Sequence, residues 1–167
     1  MLRFEAEQLV RAGADVLQID EPVLHNVEVE KVLRFVDAAV DNVKIPVELH
    51  PQVASFKDYE QLLKLENVHV IGVEAAKFPD LLDKLTRAAF ECHGKKVALG
   101  VVDTDRQEVE SLETVKKRIE RGIDVFGADM WLNPDCGLRL QKRELAFQKL
   151  KVRVDAAASV KRELNLS

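Results

Sequence analysis

Met130-Trp131-Leu132-Asn133-Pro134-Asp135-Cys136-Gly137 is the stretch on which the reading of this chain turns. Met130 to Leu132 is a short apolar run of strand length, and Asn-Pro stops it. Asn, Asp, Pro and Gly close together are turn chemistry, because Asn and Asp bond their own backbone and Pro lacks an N–H. A cysteine is left on the turn, just outside the carboxyl end of a strand. In α/β folds that end is where sites are assembled, since the loops there vary without disturbing the core. Taken alone, Cys136 reads equally as a small packing residue beside a turn. Four other predicted strands that end in polar residues move the reading toward a site.

Working outward, Asp15–Ile19 reads as a strand ending at Asp20-Glu21-Pro22, and Pro46–Leu49 as one ending at His50-Pro51. Val68–Val73 ends at Glu74, and Lys96–Val102 ends at Asp103. Helical spacing fills the gaps. Glu28–Val43 carries Val32, Phe35, Val36 and Ala39 as an inner face. Asp58–Leu65, Pro79–Cys92 closed by Gly94, Leu112–Ile123 and Lys142–Leu164 follow. Ser111 is the expected N-cap of the fourth, with Glu113 too early to complete a capping box. A helix over 2–12, with Leu2, Phe4, Leu9 and Val10 approximating one apolar side, precedes everything and stops at Gly13. One helix and then five β-α units predict an α/β fold: a parallel sheet covered by helices. Units of roughly 30 residues suit (β/α) barrels and doubly wound sheets alike. No Gly-x-Gly-x-x-Gly follows the first strand and no Gly-Lys-Ser/Thr loop exists, which argues against nucleotide binding. No linker divides the chain, so residues 1–167 are expected to form a single domain.

The 167 residues suffice for one core. A net charge of −4 argues against a nucleic-acid or anionic-membrane surface. One Trp and one Tyr leave no aromatic platform for bases. Lys and Arg interleave with Glu and Asp on the helices, the pattern of a solvated face. No apolar run approaches membrane length, and Met1-Leu2-Arg3-Phe4-Glu5 is no signal peptide. Two cysteines, Cys92 and Cys136, make no disulfide framework and suit a reducing compartment, so a cytoplasmic protein is expected.

Parallel strands put their carboxyl ends on one face, so Asp20, Glu21, His50, Glu74, Asp103 and Cys136 should gather there. Asp20-Glu21-Pro22 also reads as a strand exit with a helix cap, and His50 as a core or solvent histidine. Glu74 is more telling. An acid within Val-Ile-Gly-Val-Glu-Ala-Ala is expensive unless paired or bound to a cation. His50, Glu74 and Cys136 together supply an imidazole, a carboxylate and a thiolate, a zinc set with one tetrahedral position open, which suits catalysis. Zinc favours a thiolate over a thiol whose pKa is ordinarily about 8.5, so a small thiol substrate would be activated for alkyl transfer. Cys92, beside His93 near a helix carboxyl end, meets a dipole that disfavours a thiolate and reads as packing or surface.

Leu17-Gln18-Ile19-Asp20-Glu21-Pro22-Val23-Leu24, Val73-Glu74-Ala75-Ala76, Leu99-Gly100-Val101-Val102-Asp103, Val109-Glu110-Ser111 and Trp131-Leu132-Asn133-Pro134-Asp135-Cys136-Gly137-Leu138, in this order, resemble the catalytic carboxyl-terminal domain of cobalamin-independent methionine synthases. The resemblance implies part of a (β/α)8, or TIM, barrel that moves a methyl group to homocysteine with Zn²⁺ at its mouth. It implies His50, Glu74 and Cys136 as zinc ligands. It places Asp20, with Glu21 beside it, where the homocysteine amino group is held. Three departures stand out. Gln52 occupies the place of a family cysteine two residues after the ligand histidine. Asp105 occupies the place of the family's catalytic histidine, which leaves Asp103 and Asp105 as the catalytic candidates and puts a methyl-corrinoid protein beside methylated folate as donor. Only the last five of eight strands are matched, and five cannot close this barrel. The first and last strands would expose apolar edges, so association with an amino-terminal half-barrel chain or a second copy is expected. The rival readings are another barrel enzyme of the uroporphyrinogen decarboxylase and corrinoid methyltransferase group, and a non-catalytic half-barrel that completes another chain.

Overall fold

The structure is a computed structural model that describes residues 1–22, 28–52 and 55–166. Val23 and Leu24 of the first motif lie outside the described residues. The elements are α1 (Leu2–Arg11), β1 (Leu17–Glu21), α2 (Val29–Val40), β2 (Val47–Pro51), α3 (Phe56–Leu62), β3 (Val70–Val73), a 3-10 turn (Pro79–Asp83), α4 (Arg87–Glu91), β4 (Lys96–Val102), α5 (Leu112–Phe126), β5 (Trp131–Pro134) and α6 (Arg143–Glu163). The five strands form one sheet in the order β1-β2-β3-β4-β5. The β1–β2, β2–β3 and β4–β5 ladders are parallel. The α/β expectation holds, and the order adds to it. Doubly wound sheets reverse their strand order at a switch point, whereas this sheet runs in sequence order throughout, as consecutive units of a barrel wall do.

The chain divides into two compact units: Met1–Gly72 with Ala88–Lys96, and Val73–Arg87 with Val97–Ser167. In the first unit every residue of β2 is buried, the pattern of a strand covered on both faces. α2 buries Val32, Val36, Ala39 and Val40, one stripe at helical spacing. Phe35, expected on that stripe, is 74% exposed because it sits on the flank of the face those four define. α1 buries only Ala6, and Phe4 turns out on the side opposite Leu2 and Leu9. Leu2, Leu9, Leu17, Ile19 and Val40 help line a cavity of about 270 Å³ beside the end strand β1. The Tyr59 hydroxyl donates to the Gly72 carbonyl at 3.3 Å. Buried Lys95 donates to the carbonyls of Leu65 and Val68.

In the second unit β4 is buried from Val97 onward. α5 begins at Ser111, whose hydroxyl accepts the Thr114 N–H at 3.1 Å, as the sequence suggests. It buries Val115, Ile119, Gly122 and Phe126. A Cβ at Gly122 would stand 2.2 Å from Leu99 Cδ2, so glycine lets α5 seat directly on β4.

Two further sequence expectations are corrected. The single helix over Pro79–Cys92 is a 3-10 turn and a separate short helix, α4. Leu81, Leu82, Leu85 and Phe90 are all buried, and a continuous helix would point Phe90 nearly opposite Leu81 and Leu85. Breaking the helix buries both groups. β5 does not stop before Asn-Pro but runs through Asn133 and Pro134, opposite a bulge between Gly100 and Val102. Proline is tolerated there because β5 ends the sheet and a bulge already interrupts the ladder.

Candidate metal centre

In the first unit His50 is the fourth residue of β2, in register with Asp20 on β1, and Glu21 pairs with Pro51. A Cβ at Gly72 would lie 3.0 Å from His50 Nδ1 and 3.3 Å from its Cα, so the glycine on β3 makes room for the imidazole. Asp20 is exposed, and its Oδ1 accepts Gln18 Nε2 at 2.6 Å. Half-buried Gln52 donates its backbone N–H to the Glu21 carbonyl at 3.0 Å.

In the second unit Glu74 stands one residue past β3 and is buried. The chain turns at once, with Ala75 N–H on the Val73 carbonyl and Phe78 N–H on the Glu74 carbonyl, both at 2.9 Å. Burial pushes the Glu74 carboxyl up to about 7; Asp135 and Asp105 push the same way, and Lys77 opposes. Asp135 is 1% exposed. Its Oδ1 accepts the Ala76 N–H at 3.1 Å and its Oδ2 the Lys77 N–H at 2.6 Å. Burial raises this carboxyl too, to about 7, against the pull of those two bonds. The fit is close: a Cβ at Gly100 would fall 2.0 Å from Asp135 Oδ1 and 2.9 Å from the Val73 carbonyl. Cys136 follows, half-buried.

Asp103 and Asp105 occupy the loop after β4. Asp103 Oδ1 accepts the Asp105 N–H at 2.9 Å, and Oδ2 accepts Arg106 Nε at 3.1 Å. Asp105 pairs with the Lys77 ammonium. The loop is held from within. Glu110 Oε1 takes the Asp103 N–H at 2.7 Å, while Lys149 Nζ donates to the Asp103 carbonyl at 2.9 Å and to Glu110 Oε2 at 3.0 Å. Arg118 Nη1 bonds Glu110 at 3.2 Å and the Val101 carbonyl at 2.9 Å. Burial alone would raise the Glu110 carboxyl; the bonds from Asp103 N–H and Lys149 outweigh it and hold it below the usual range.

Within the second unit, a carboxylate oxygen of Glu74 and the Cys136 sulfur lie within 4.8 Å of each other. Two donors on a tetrahedral zinc, with bonds of about 2.0–2.3 Å, stand roughly 3.3–3.8 Å apart, so small side-chain movements separate Glu74 and Cys136 from that spacing. The chemistry fits as well. An imidazole, a carboxylate and a thiol are the donors zinc takes, and a buried carboxyl disfavoured as an anion is relieved by a cation.

Sequence reasoning picked out the three donors but missed the residues that hold their loops. Asp135 read as turn chemistry, and Lys149 as one charge on a solvated helix face, although it is 0% exposed. Glu110 stood inside the quoted Val-Glu-Ser motif without a role. The signal for Asp135 was its place directly before a candidate ligand.

Residues 1–159 match the family model described as cobalamin-independent synthase, catalytic domain. The chain is 39% identical to a methionine synthase of Methanothermobacter marburgensis, over 94% of this chain and 51% of that protein. It is 31% identical to one of Sulfurisphaera tokodaii, over 98% of this chain and 48% of that protein. The chain thus spans about half the length of the curated relatives it matches. Among solved structures it superposes with a TM-score of 0.79 on a B12-independent methionine synthase from Shewanella sp. W3-18-1 in complex with selenomethionine, at 22% identity, covering 99% of this chain and 54% of that one. A methyltransferase from Methanosarcina mazei gives 0.69 at 16% identity, over 95% of this chain and 46% of that one. At such identities the likeness is one of fold, that of the barrel-type domain.

Proposed function

We propose, for a chain that belongs to the family of cobalamin-independent synthase catalytic domains, the zinc-dependent transfer of a methyl group to the thiol of homocysteine, giving methionine. The observation that carries this reading is the approach of the Glu74 and Cys136 donor atoms to within 4.8 Å of each other in the second unit, in a chain whose residues 1–159 match the family model. These three residues would hold Zn²⁺. When bound, the ion supplies Lewis acidity that keeps a thiol deprotonated near neutral pH. In the reaction the homocysteine S–H bond breaks and its proton passes to solvent, sulfur forms a bond to the methyl carbon, and the donor departs with the electron pair of its former methyl bond.

The chain's own residues do the rest. Asp20, in register with His50 and exposed, presents a carboxylate to the substrate amino group, with Glu21 next to it. Glu74, buried and disfavoured as an anion, would serve as the carboxylate that holds the cation. Asp103 is committed to its own loop, and the Asp105 oxygen facing Lys77 acts as an acceptor. That pairing supports a donor needing no proton from this loop, a methyl-corrinoid protein, ahead of methylated folate. Because an eight-stranded barrel needs more strands than the five here, the working unit in this reading includes further β/α units, from an amino-terminal half-barrel chain or a second copy. No helix among the described residues is long and apolar enough to cross a membrane, and the reading takes the protein as cytoplasmic.

Metal analysis of freshly purified protein beside the variant Cys136→Ser tests the proposal. Zinc near one equivalent per chain, lost in the variant, is expected. The same zinc content in both would overturn the ligand assignment. A second reading, a half-barrel that only completes another chain, is favoured by Gln52 at the place of a family cysteine. Turnover of homocysteine with methylcobalamin, by this chain alone or with its complementing half, separates the two.

A further inference from the structure

We infer that Asp135 is a positioning residue that sets the spacing between Glu74 and Cys136 and so prepares the donor set for the metal; the inference rests on the metal reading above. Asp135 directly precedes Cys136. Its two carboxylate oxygens accept the N–H groups of Ala76 and Lys77, two and three residues beyond Glu74, at 3.1 and 2.6 Å. Its own N–H donates to the Val102 carbonyl at 2.9 Å. One residue thereby fixes the Cys136 turn against the Glu74 loop on one side and the end of β4 on the other.

The side chain is specified by its geometry. Two converging N–H groups need two acceptor oxygens, which a carboxylate has. Asparagine offers one oxygen and an NH₂, so one amide would face another donor. Gly100 leaves the space: any Cβ there would stand 2.0 Å from Asp135 Oδ1. A buried carboxylate that has no cationic partner at hydrogen-bond distance among the described residues is a costly way to close a turn. It is a suitable way to lock two ligand-bearing loops at one separation. Partners of this kind around metal ligands change metal affinity about 10–100-fold when removed.

The test uses Co²⁺ alone as the probe, because thiolate-to-cobalt charge transfer reports whether Cys136 is a ligand. Wild type, Asp135→Asn, Gly100→Ala, the double variant and Gly122→Ala are titrated, with the fold followed by circular dichroism. Gly122→Ala perturbs the contact with Leu99 in the same unit and controls for general destabilisation. The expected result is about a 10–100-fold loss of affinity and a weakened charge-transfer band in Asp135→Asn and in Gly100→Ala. The two effects should be less than additive, since both act through the same bonds. Gly122→Ala should keep the wild-type affinity. Wild-type affinity and band in Asp135→Asn, or an equal loss in Gly122→Ala, would overturn the inference. Should Asp135→Asn fail to fold, Gly100→Ala decides by the same criteria. Absence of Co²⁺ and Zn²⁺ binding in wild type would instead sink the metal reading itself.

Discussion

The Asp135 carboxylate accepts the Lys77 N–H at 2.6 Å, and the Lys77 ammonium in turn pairs with Asp105. The turn after β5 is thus tied to the loop after β3, and that loop to the loop after β4, by protein groups alone. Chelation should therefore leave the fold standing. Far-UV circular dichroism in excess EDTA is expected to match that of metal-loaded protein, with a lower melting temperature in proportion to RT ln(1 + [metal]/Kd). Collapse of the spectrum on chelation would contradict it.

Glu74 makes metal-free stability depend on pH. Its carboxyl is raised from the ordinary 4.5 to about 7, so the folded chain binds a proton that the unfolded chain has released across that window. Stability falls as pH rises from about 4.5 to 7, on the order of 3 kcal/mol at about 1.36 kcal/mol per pKa unit. In EDTA, Glu74→Gln should be more stable than wild type at pH 8 and close to it at pH 4.5. Urea denaturation at both pH values reads the difference; a constant gap would refute it.

Gly72 is fitted to His50. A methyl group at Gly72 would meet Nδ1 at 3.0 Å and Cα at 3.3 Å, and the backbone atom cannot give way as a side chain could. Gly72→Ala is expected to lose about 1–3 kcal/mol of stability. It should also lower zinc affinity by shifting the imidazole. Competition with a chromophoric chelator measures the second effect, and unchanged affinity would show that the ring has room to spare.

Lys149 and Glu110 form a buried ion pair, with side chains 0% and 5% exposed. Removing one partner strands the other. Lys149→Met should cost about 3–5 kcal/mol, while the joint change to Met and Gln should cost less than the two single changes summed. Urea midpoints of the three variants check both statements.

The ends of the sheet predict association. Among the described residues, β1 and β5 each have one neighbour in the strand order. Leu2 and Leu9 stay exposed beside β1. Sedimentation of the purified chain should show a species larger than a monomer, or one that forms on adding an amino-terminal half-barrel chain. A compact monomer at high concentration in both cases would refute this.

Short apolar runs ended by polar residues determined, from the sequence alone, the five strands and their parallel α/β character, and singled out His50, Glu74 and Cys136 as candidate donors. These signals are local: side-chain period, turn chemistry and an acid in an apolar setting can be read within a few residues. Only the tertiary structure decided that the strands follow one another in order, that the Pro79–Cys92 segment breaks, that Phe35 faces outward and that Lys149 is buried. It alone showed what Asp135, Gly72 and Gly100 lie against. Each of these depends on which distant backbone comes within a few ångströms, and no local pattern records that. A carboxylate that closes its own turn and one that clamps a loop some 60 residues away have the same neighbours in sequence; they differ only in which N–H groups folding brings to their oxygens.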